Sequence, residues 1–589
     1  MTKSSDQQIF GAAERAYLAG SLAEARALLS RLASLNQPGV HHLRAMVEQD
    51  LGTLAEARRH FERAATLAPR DPQLWSNFGN LLRQLGDQAA ALEAYDRALA
   101  LSPRFADALF NRSLLLRLAG RLDEARAGYE AAIALNPKVP RFWNGLAALE
   151  RAAGDLAAAA SAYDRALEVH PDDPLATVGR ARVALERDES DVRERYQAAR
   201  RAAPEEVELL IDEAEARLAH GDRTVLNVLA TEAAARPDWV SGQIGLARMR
   251  WEQGQKEEFA DHIETLLAAD PAREQLWRDY VQLLSACKLP ERAADVAARA
   301  RRALGDNPQW ALTEAMAASK AGQWERADIL FAALPADFPK RAINESVHRI
   351  RRRDYDRALA LVHAALAEDP WDVPTWTIAE LLYRKLGDPR GAWLSGQPGL
   401  IGVQELPIDP ADFAAADALL HSLHQDAIEA VGQSVRGGSQ TRWNLFDRVE
   451  PELVPLRAAI ESGVAAYANR LPPRDDAHPL LRHRDQPLRI TAAWSVRLRD
   501  AGYHEPHYHP EGLLSSACYF RVPAPGPNPH DGWLEIGRPS ADLRMDLEPI
   551  LTIEPKPGRL ILFPSYLFHG TRPFAAGERM SVAFDVVAA

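Results

Sequence analysis

Between residues 40 and 180 the apolar positions follow a helical rhythm, and that rhythm returns every 34 residues. Gly52, Gly86, Gly120 and Gly154 form one column at this spacing. Pro69, Pro103, Pro137 and Pro171 form a second. Phe61, Tyr95, Tyr129 and Tyr163 form a third, and Ala57, Ala91, Ala125 and Ala159 a fourth. Columns that share one period specify a repeated unit of two helices and short turns. Glycine serves the turn within each hairpin, where a positive φ is needed. Alanine lets the paired helices approach, the aromatic residue fills the gap toward the next unit, and proline ends the second helix. Worn copies extend the series to Gly20 and Ala25 on one side. On the other they reach Gly221, Gly254, Trp277, Trp310, Gly322, Trp376 and Gly387. The expectation is an all-α solenoid of ten to eleven helical hairpins over residues 1–395, with a concave groove.

The pattern then changes. Residues 396–408 are rich in turn formers and read as a linker. Segments 409–425 and 451–470 carry apolar residues at helical spacing, among them Phe413, Leu420, Leu456, Ile460 and Val464. They predict two helices, with a loop at 434–441. From about residue 488 the period shortens to two: Ile490, Ala492, Trp494, Val496 and Leu498 alternate with Thr491, Ser495 and Arg497. Further strands are predicted over 513–522, 533–536, 550–553, 560–563 and 579–586. Pro/Gly-rich turns at 523–531, 555–558 and 573–577 separate them. Short strands with such turns predict a β-sandwich or jelly roll for a second domain, 409–589.

A chain of 589 residues exceeds what one core supports, so two or more domains are required. A net charge of −12 argues against nucleic-acid binding as the main activity. The two cysteines, Cys287 and Cys518, exclude a disulfide framework or a cysteine-based zinc site and fit a reducing compartment. There is no apolar run long enough to span a bilayer, and no apolar segment follows the first residues, so a cytoplasmic protein is expected. Arginine runs at 299–302 and 349–353 read as solvated helix faces.

The chemistry concentrates near the end. His504, His507 and His509 fall within six residues, and His569 follows an apolar run at 559–563. Neutral imidazole is a common ligand of first-row metals. On a strand, positions i and i+2 share a face, so His507 and His509 can meet one ion and His569 can close the site from another strand. The third ligand is His509 or solvent. Glu505 and Glu511 share the parity of the pair and could contribute a carboxylate. His504 has the other parity, which suits contact with a ligand or with substrate. Arg497 is a candidate for the substrate pocket, while His478 and His483 read as surface residues. Arg579 and Ser581 share a strand face.

These residues carry two resemblances. The N-terminal columns resemble tetratricopeptide repeats. The C-terminal blocks resemble the 2-oxoglutarate/Fe(II) oxygenases that follow such repeats in bacterial proteins. The blocks are W-S-V-R-L at 494–498, G-Y-H-E-P-H-Y-H-P at 502–510, S-S-A-C-Y at 515–519, G-W-L-E-I-G at 532–537, P-G-R-L-I-L-F-P-S at 557–565, H-G-T at 569–571 and R-M-S at 579–581. One departure stands out: the larger superfamily pairs its first histidine with Asp or Glu, where this chain has His509. The resemblance implies a double-stranded β-helix holding Fe(II) through His507, His509 and His569. It implies that Arg579 and Ser581 bind the far carboxylate of the cosubstrate 2-oxoglutarate, with Tyr519 adding a phenol. O2 and 2-oxoglutarate would be consumed, and a hydroxyl group delivered to a protein or peptide docked on the repeat groove. No catalytic residue beyond the metal centre is expected. The alternative is a catalytically degenerate metal-binding domain on an interaction scaffold. A glycan-modifying enzyme ranks last, because no nucleotide-sugar motif is present.

Overall fold

A computed structural model describes residues 3–424, 431–524, 526 and 528–588. Gln425, at the end of the first helix predicted after the linker, and Pro525 and Pro527 of the turn at 523–531 lie outside the described residues. The chain divides into two compact units. One comprises residues 1–184 with 194–205, the other residues 185–193 with 206–589.

The first unit is helical, and its sequence columns have the physical roles expected of them. The helix Pro72–Gln84 begins with Asp71 as N-cap, whose carboxylate accepts from the backbone N–H groups of Gln73 and Leu74. The turn after it uses Gly86 at φ 80°. The helix Leu122–Leu135 buries Tyr129 completely. Its ring lies so close to Gly145 of the next helix, Pro140–Ala153, that a Cβ there would sit 2.7 Å from it. Among the described residues, twenty-four helices precede the sheets, from Lys3–Leu18 to Arg390–Ser395. That makes twelve consecutive pairs, against the ten to eleven hairpins the spacing predicts. The undercount falls where the Gly and Tyr columns fade.

The second unit combines the later helices with two antiparallel sheets. The larger has the order β1-β7-β4-β9-β3-β2 and the smaller β6-β5-β8. The strands are β1 (Gly402–Glu405), β2 (Val435–Gln440), β3 (Leu488–His504), β4 (Leu514–Arg521), β5 (Leu534–Ile536), β6 (Leu551–Ile553), β7 (Arg559–Pro564), β8 (His569–Thr571) and β9 (Glu578–Ala588). This is the jelly-roll-like arrangement that the alternating pattern predicts. The two helices expected after the linker form at Pro410–Ser422 and Leu453–Ala468.

Three differences matter. The linker segment 396–408 contains β1, which pairs with β7 at the sheet edge. The glycine-containing loop predicted at 434–441 is β2, paired with β3 across an irregularity between Arg436 and Gly438. Gly437 there has φ 65°, and a Cβ would stand 3.1 Å from Gly502 Cα. His478, read as a surface residue, is fully buried, and its Nδ1 accepts from the backbone N–H groups of Leu480 and Leu481 at 3.1 Å.

The apolar core of this unit is continuous from the last helices into the sheets. It runs from Ile350, Val362, Leu381 and Leu394 to Leu456, Phe563, Leu567 and Phe584. Polar contacts reinforce it. Arg384 donates to the carbonyl of Gly537 at 2.7 Å, and Arg351 pairs with Asp542 at 2.7 Å. Of the arginines read as solvated, Arg302 and Arg353 are exposed, while Arg349 pairs with Asp328 and Glu345 and Arg301 with Glu314. Among the described residues no helix is long and apolar enough to cross a membrane.

Candidate metal centre

A cavity of about 540 Å³ opens between the two sheets. Its floor is the inward face of β9. Arg579, Ser581, Ala583 and Asp585 all line it, as strand alternation requires. Val496 and Trp494 of β3, Ala517 of β4, Leu534 of β5 and the whole of β8 complete the walls.

His507, His509 and His569 meet in this cavity. One ring nitrogen from each falls within 4.8 Å of the others, and among the described residues this is the group of side chains able to share a metal ion. They do not arrive as a continuous strand pair. β3 ends at His504, and residues 505–513 form an irregular segment fastened to β8 by a single bridge, His507 to His569. The two backbone hydrogen bonds of that bridge measure 3.0 and 2.8 Å. The segment is long enough to bring His507 and His509 to one side without regular pairing.

Each imidazole has its Nδ1 committed. That of His507 donates to the carbonyl of Glu505 at 2.8 Å, and that of His569 to the carbonyl of Leu567 at 3.1 Å. That of His509 donates to Asp585 Oδ1 at 2.5 Å. A proton held on Nδ1 leaves the Nε2 lone pair for a metal, the usual division of labour at histidine sites. Burial holds His507 down to about 4 and His569 well below the ordinary histidine range. Both rings are therefore neutral at pH 7, as ligands must be. Three imidazoles able to share one ion suit a first-row divalent metal, so the residues present fit the metal that the sequence implies.

The remaining candidates distribute unevenly. His504 lines the cavity and stacks on His507 with ring centroids 5.9 Å apart. Ser434 Oγ lies 3.2 Å from His504 Nδ1 and 3.4 Å from His507 Nε2. Arg579 is 2% exposed, and among the described residues no carboxylate pairs with it. Its Nε has no hydrogen-bond partner, and burial pulls the guanidinium below its ordinary pKa. Such a cation calls for an anion. Tyr519 is fully buried, with Arg579 over its ring at 4.8 Å and its hydroxyl unpartnered.

Arg497 does not reach the cavity. It pairs in register with Met580, so it faces the opposite side of the sheet, where it forms an ion pair with Glu578 at 2.8 Å. Glu505 turns its carboxylate to Lys288 and to Arg436, the latter at 3.1 Å, rather than to the imidazoles. Glu511 lines the cavity but is not among the atoms that could share an ion. Asp585 and Lys288 are among the lining residues not read from the sequence as site candidates. Asp585 could have been found by counting i+2 steps along β9 from Arg579. Lys288 comes from a turn between late helices, and no local signal marks it.

A family model described as "Putative 2OG-Fe(II) oxygenase" matches residues 492–585. One tetratricopeptide-repeat model matches residues 76–140, 119–174 and 144–205, and another matches 36–104. The chain thus carries tetratricopeptide repeats, an architecture of protein–protein interaction, followed by a C-terminal domain of the 2-oxoglutarate/Fe(II) oxygenase kind. No curated protein matches it. Among solved structures, the MamA protein is 19% identical over 29% of this chain and 94% of its own, with a TM-score of 0.26. Pseudomonas aeruginosa pilF is 18% identical over 35% and 95%, with a TM-score of 0.32. YrrB, described as a TPR protein with an unusual peptide-binding site, is 19% identical over 31% and 95%, with a TM-score of 0.28. Similarities at these scores carry no argument here.

Proposed function

We propose that this protein is an Fe(II)- and 2-oxoglutarate-dependent dioxygenase that hydroxylates a side chain of a protein or peptide docked on its repeats. The observation that carries the reading is the shared cavity. Three imidazoles able to share one ion stand in the same space as a buried guanidinium that no described carboxylate pairs.

In this reading His507, His509 and His569 hold the iron. When bound, the iron supplies the oxidative chemistry that turns O2 and 2-oxoglutarate into succinate, CO2 and a hydroxylated product. The chain's own residues orient and shield. The planar fork of Arg579 takes the far carboxylate of 2-oxoglutarate in a charge-assisted pair, with the Ser581 hydroxyl as a further donor. Tyr519 lies beneath the guanidinium and holds its plane. Val496, Ala517 and Leu534 exclude water from the inner end of the cavity. His504, beside His507 and facing the same space, is placed to contact substrate. The repeats of the first unit supply the docking surface. A reducing, cytoplasmic setting suits the two buried free thiols, Cys287 and Cys518.

The test is anaerobic loading with Fe(II), followed by succinate measurement with and without a peptide library. Stoichiometric succinate that depends on His507 and Arg579, together with a 16-Da gain on a peptide, is the expected result. Iron binding without any 2-oxoglutarate turnover would replace this reading with an interaction scaffold.

A further inference from the structure

Beside the three imidazoles the cavity holds the carboxylate of Asp585. It lies on the face of β9 that carries Arg579 and Ser581, six residues further along the strand. Its Oδ1 accepts from His509 Nδ1 at 2.5 Å and is approached by the Ser515 hydroxyl at 3.5 Å. His509 is held on other sides as well. The Trp494 ring stands 5.5 Å away, and the His509 backbone N–H donates to the carbonyl of Ser565 at 3.2 Å. The other two imidazoles donate to backbone carbonyls, which carry no formal charge.

This asymmetry bears on the departure at position 509, where the superfamily pattern has a carboxylate and this chain an imidazole. Taking the metal centre above as its premise, we propose that Asp585 is the positioning residue of His509 and restores the negative charge that the histidine removes. The carboxylate fixes the proton on Nδ1, turns Nε2 toward the ion and makes the ring a stronger donor, as carboxylate partners of metal-bound histidines do. His509 and Asp585 together then carry one negative charge, as the single Asp or Glu would. The difference is that the charge sits one imidazole further from the metal. The cavity gains the volume between the two positions, since a histidine reaches the ion from further back than an aspartate.

The test measures metal affinity in the full-length chain, with Co(II) as probe and its visible absorption as a report on coordination. D585A is expected to weaken Co(II) binding by about 10- to 100-fold and to shift the spectrum, with D585N falling between it and wild type. In an H509D background the imidazole is gone and the charge sits on the ligand itself, so adding D585A is expected to cost nothing. A purely structural role for Asp585 would not produce that rescue. D585A binding Co(II) as tightly as wild type, with an unchanged spectrum, overturns the assignment, and so does an equal loss in both backgrounds. Because H507A and H569A are measured alongside, a metal centre that was wrongly placed is distinguishable: those variants would then keep their metal too.

Discussion

Arg579 offers the sharpest test, because its burial makes two expectations at once. The guanidinium is 2% exposed, lies over the Tyr519 ring at 4.8 Å, and has no carboxylate partner among the described residues. A cation in that position is poorly solvated until an anion arrives. Hydrogen bonds to charged groups contribute roughly 1.5–3 kcal/mol each, and a guanidinium–carboxylate pair can make two. With part of that spent on ordering the ligand, R579A should lose about 2–4 kcal/mol of 2-oxoglutarate binding, or roughly 30- to 1,000-fold in affinity. The same substitution removes an uncompensated charge from the interior, so the ligand-free protein should melt no lower than wild type despite the lost packing. R579K keeps a charge but not the fork, and should recover only a fraction of the affinity. Calorimetry of 2-oxoglutarate against Mn(II)-loaded protein measures the first effect, and thermal melting with and without the ligand measures the second. An R579A variant that binds 2-oxoglutarate within about threefold of wild type would refute the reasoning, because among the described residues the other cation lining the cavity, Lys288, is paired with Glu505.

Four further outcomes are expected. H507A and H569A should each abolish stable metal binding and H509A should weaken it by at least about tenfold, while H509D should retain it; equilibrium dialysis with Co(II) checks all four. Deleting residues 1–184 removes most of the first unit and should leave metal binding and uncoupled 2-oxoglutarate turnover while abolishing turnover of the docked partner. Deleting residues 1–390 should instead give insoluble protein, because it strips one wall from the shared core, and soluble, metal-binding protein from that deletion would disprove the shared core. His424 is buried between the hydroxyls of Ser439 and Ser495, and burial holds it down to about 4, so the unfolded chain takes up the proton first. Its contribution is complete above pH 6.5 and is lost as pH falls toward 4. That is a loss of about 3 kcal/mol, which urea unfolding should detect in wild type and find reduced in H424Q.

Much of this was legible because the physics is local. A 34-residue period forces a helical hairpin whatever its neighbours do, and the parity that groups Arg579 with Ser581 follows from the pleat alone. What was not legible depends on contacts distant in sequence. The segment at 434–441 reads as a loop because Gly437 and Gly438 depress strand propensity, yet it pairs with β3 because Gly437 can take φ 65° against Gly502. His478 sits in a polar stretch and reads as exposed, but it is buried by Trp393 and Tyr566, residues distant from it in sequence. Strand parity put His507 and His509 on one face. The grouping is the one observed, but the cause is different: an irregular segment bridged once to β8 presents them. Arg497 was misplaced by a step of one, which on a strand reverses the face.

The same contacts indicate why the later helices lose the 34-residue signature. A helix in the middle of a repeat array packs only on its neighbours, so its apolar columns repeat. The helices after residue 340 also pack on a β-sheet, and their apolar residues answer to that second surface. Trp376 and Trp393 stand 5.9 Å apart, His478 lies 5.0 Å beyond Trp393, and Tyr566 lies 6.4 Å beyond His478. The Tyr566 hydroxyl donates to the carbonyl of Leu394 at 2.7 Å, within the helix Arg390–Ser395. Three residues after Tyr566 comes His569. The turn that delivers this histidine is thus anchored to the last helix before the sheets, and Lys288, from a turn between earlier helices, reaches Glu505 two residues before His507. Two of the three imidazoles therefore take their positions partly from the helical array. The candidate metal centre belongs to the whole second unit, with the later helices as part of its frame.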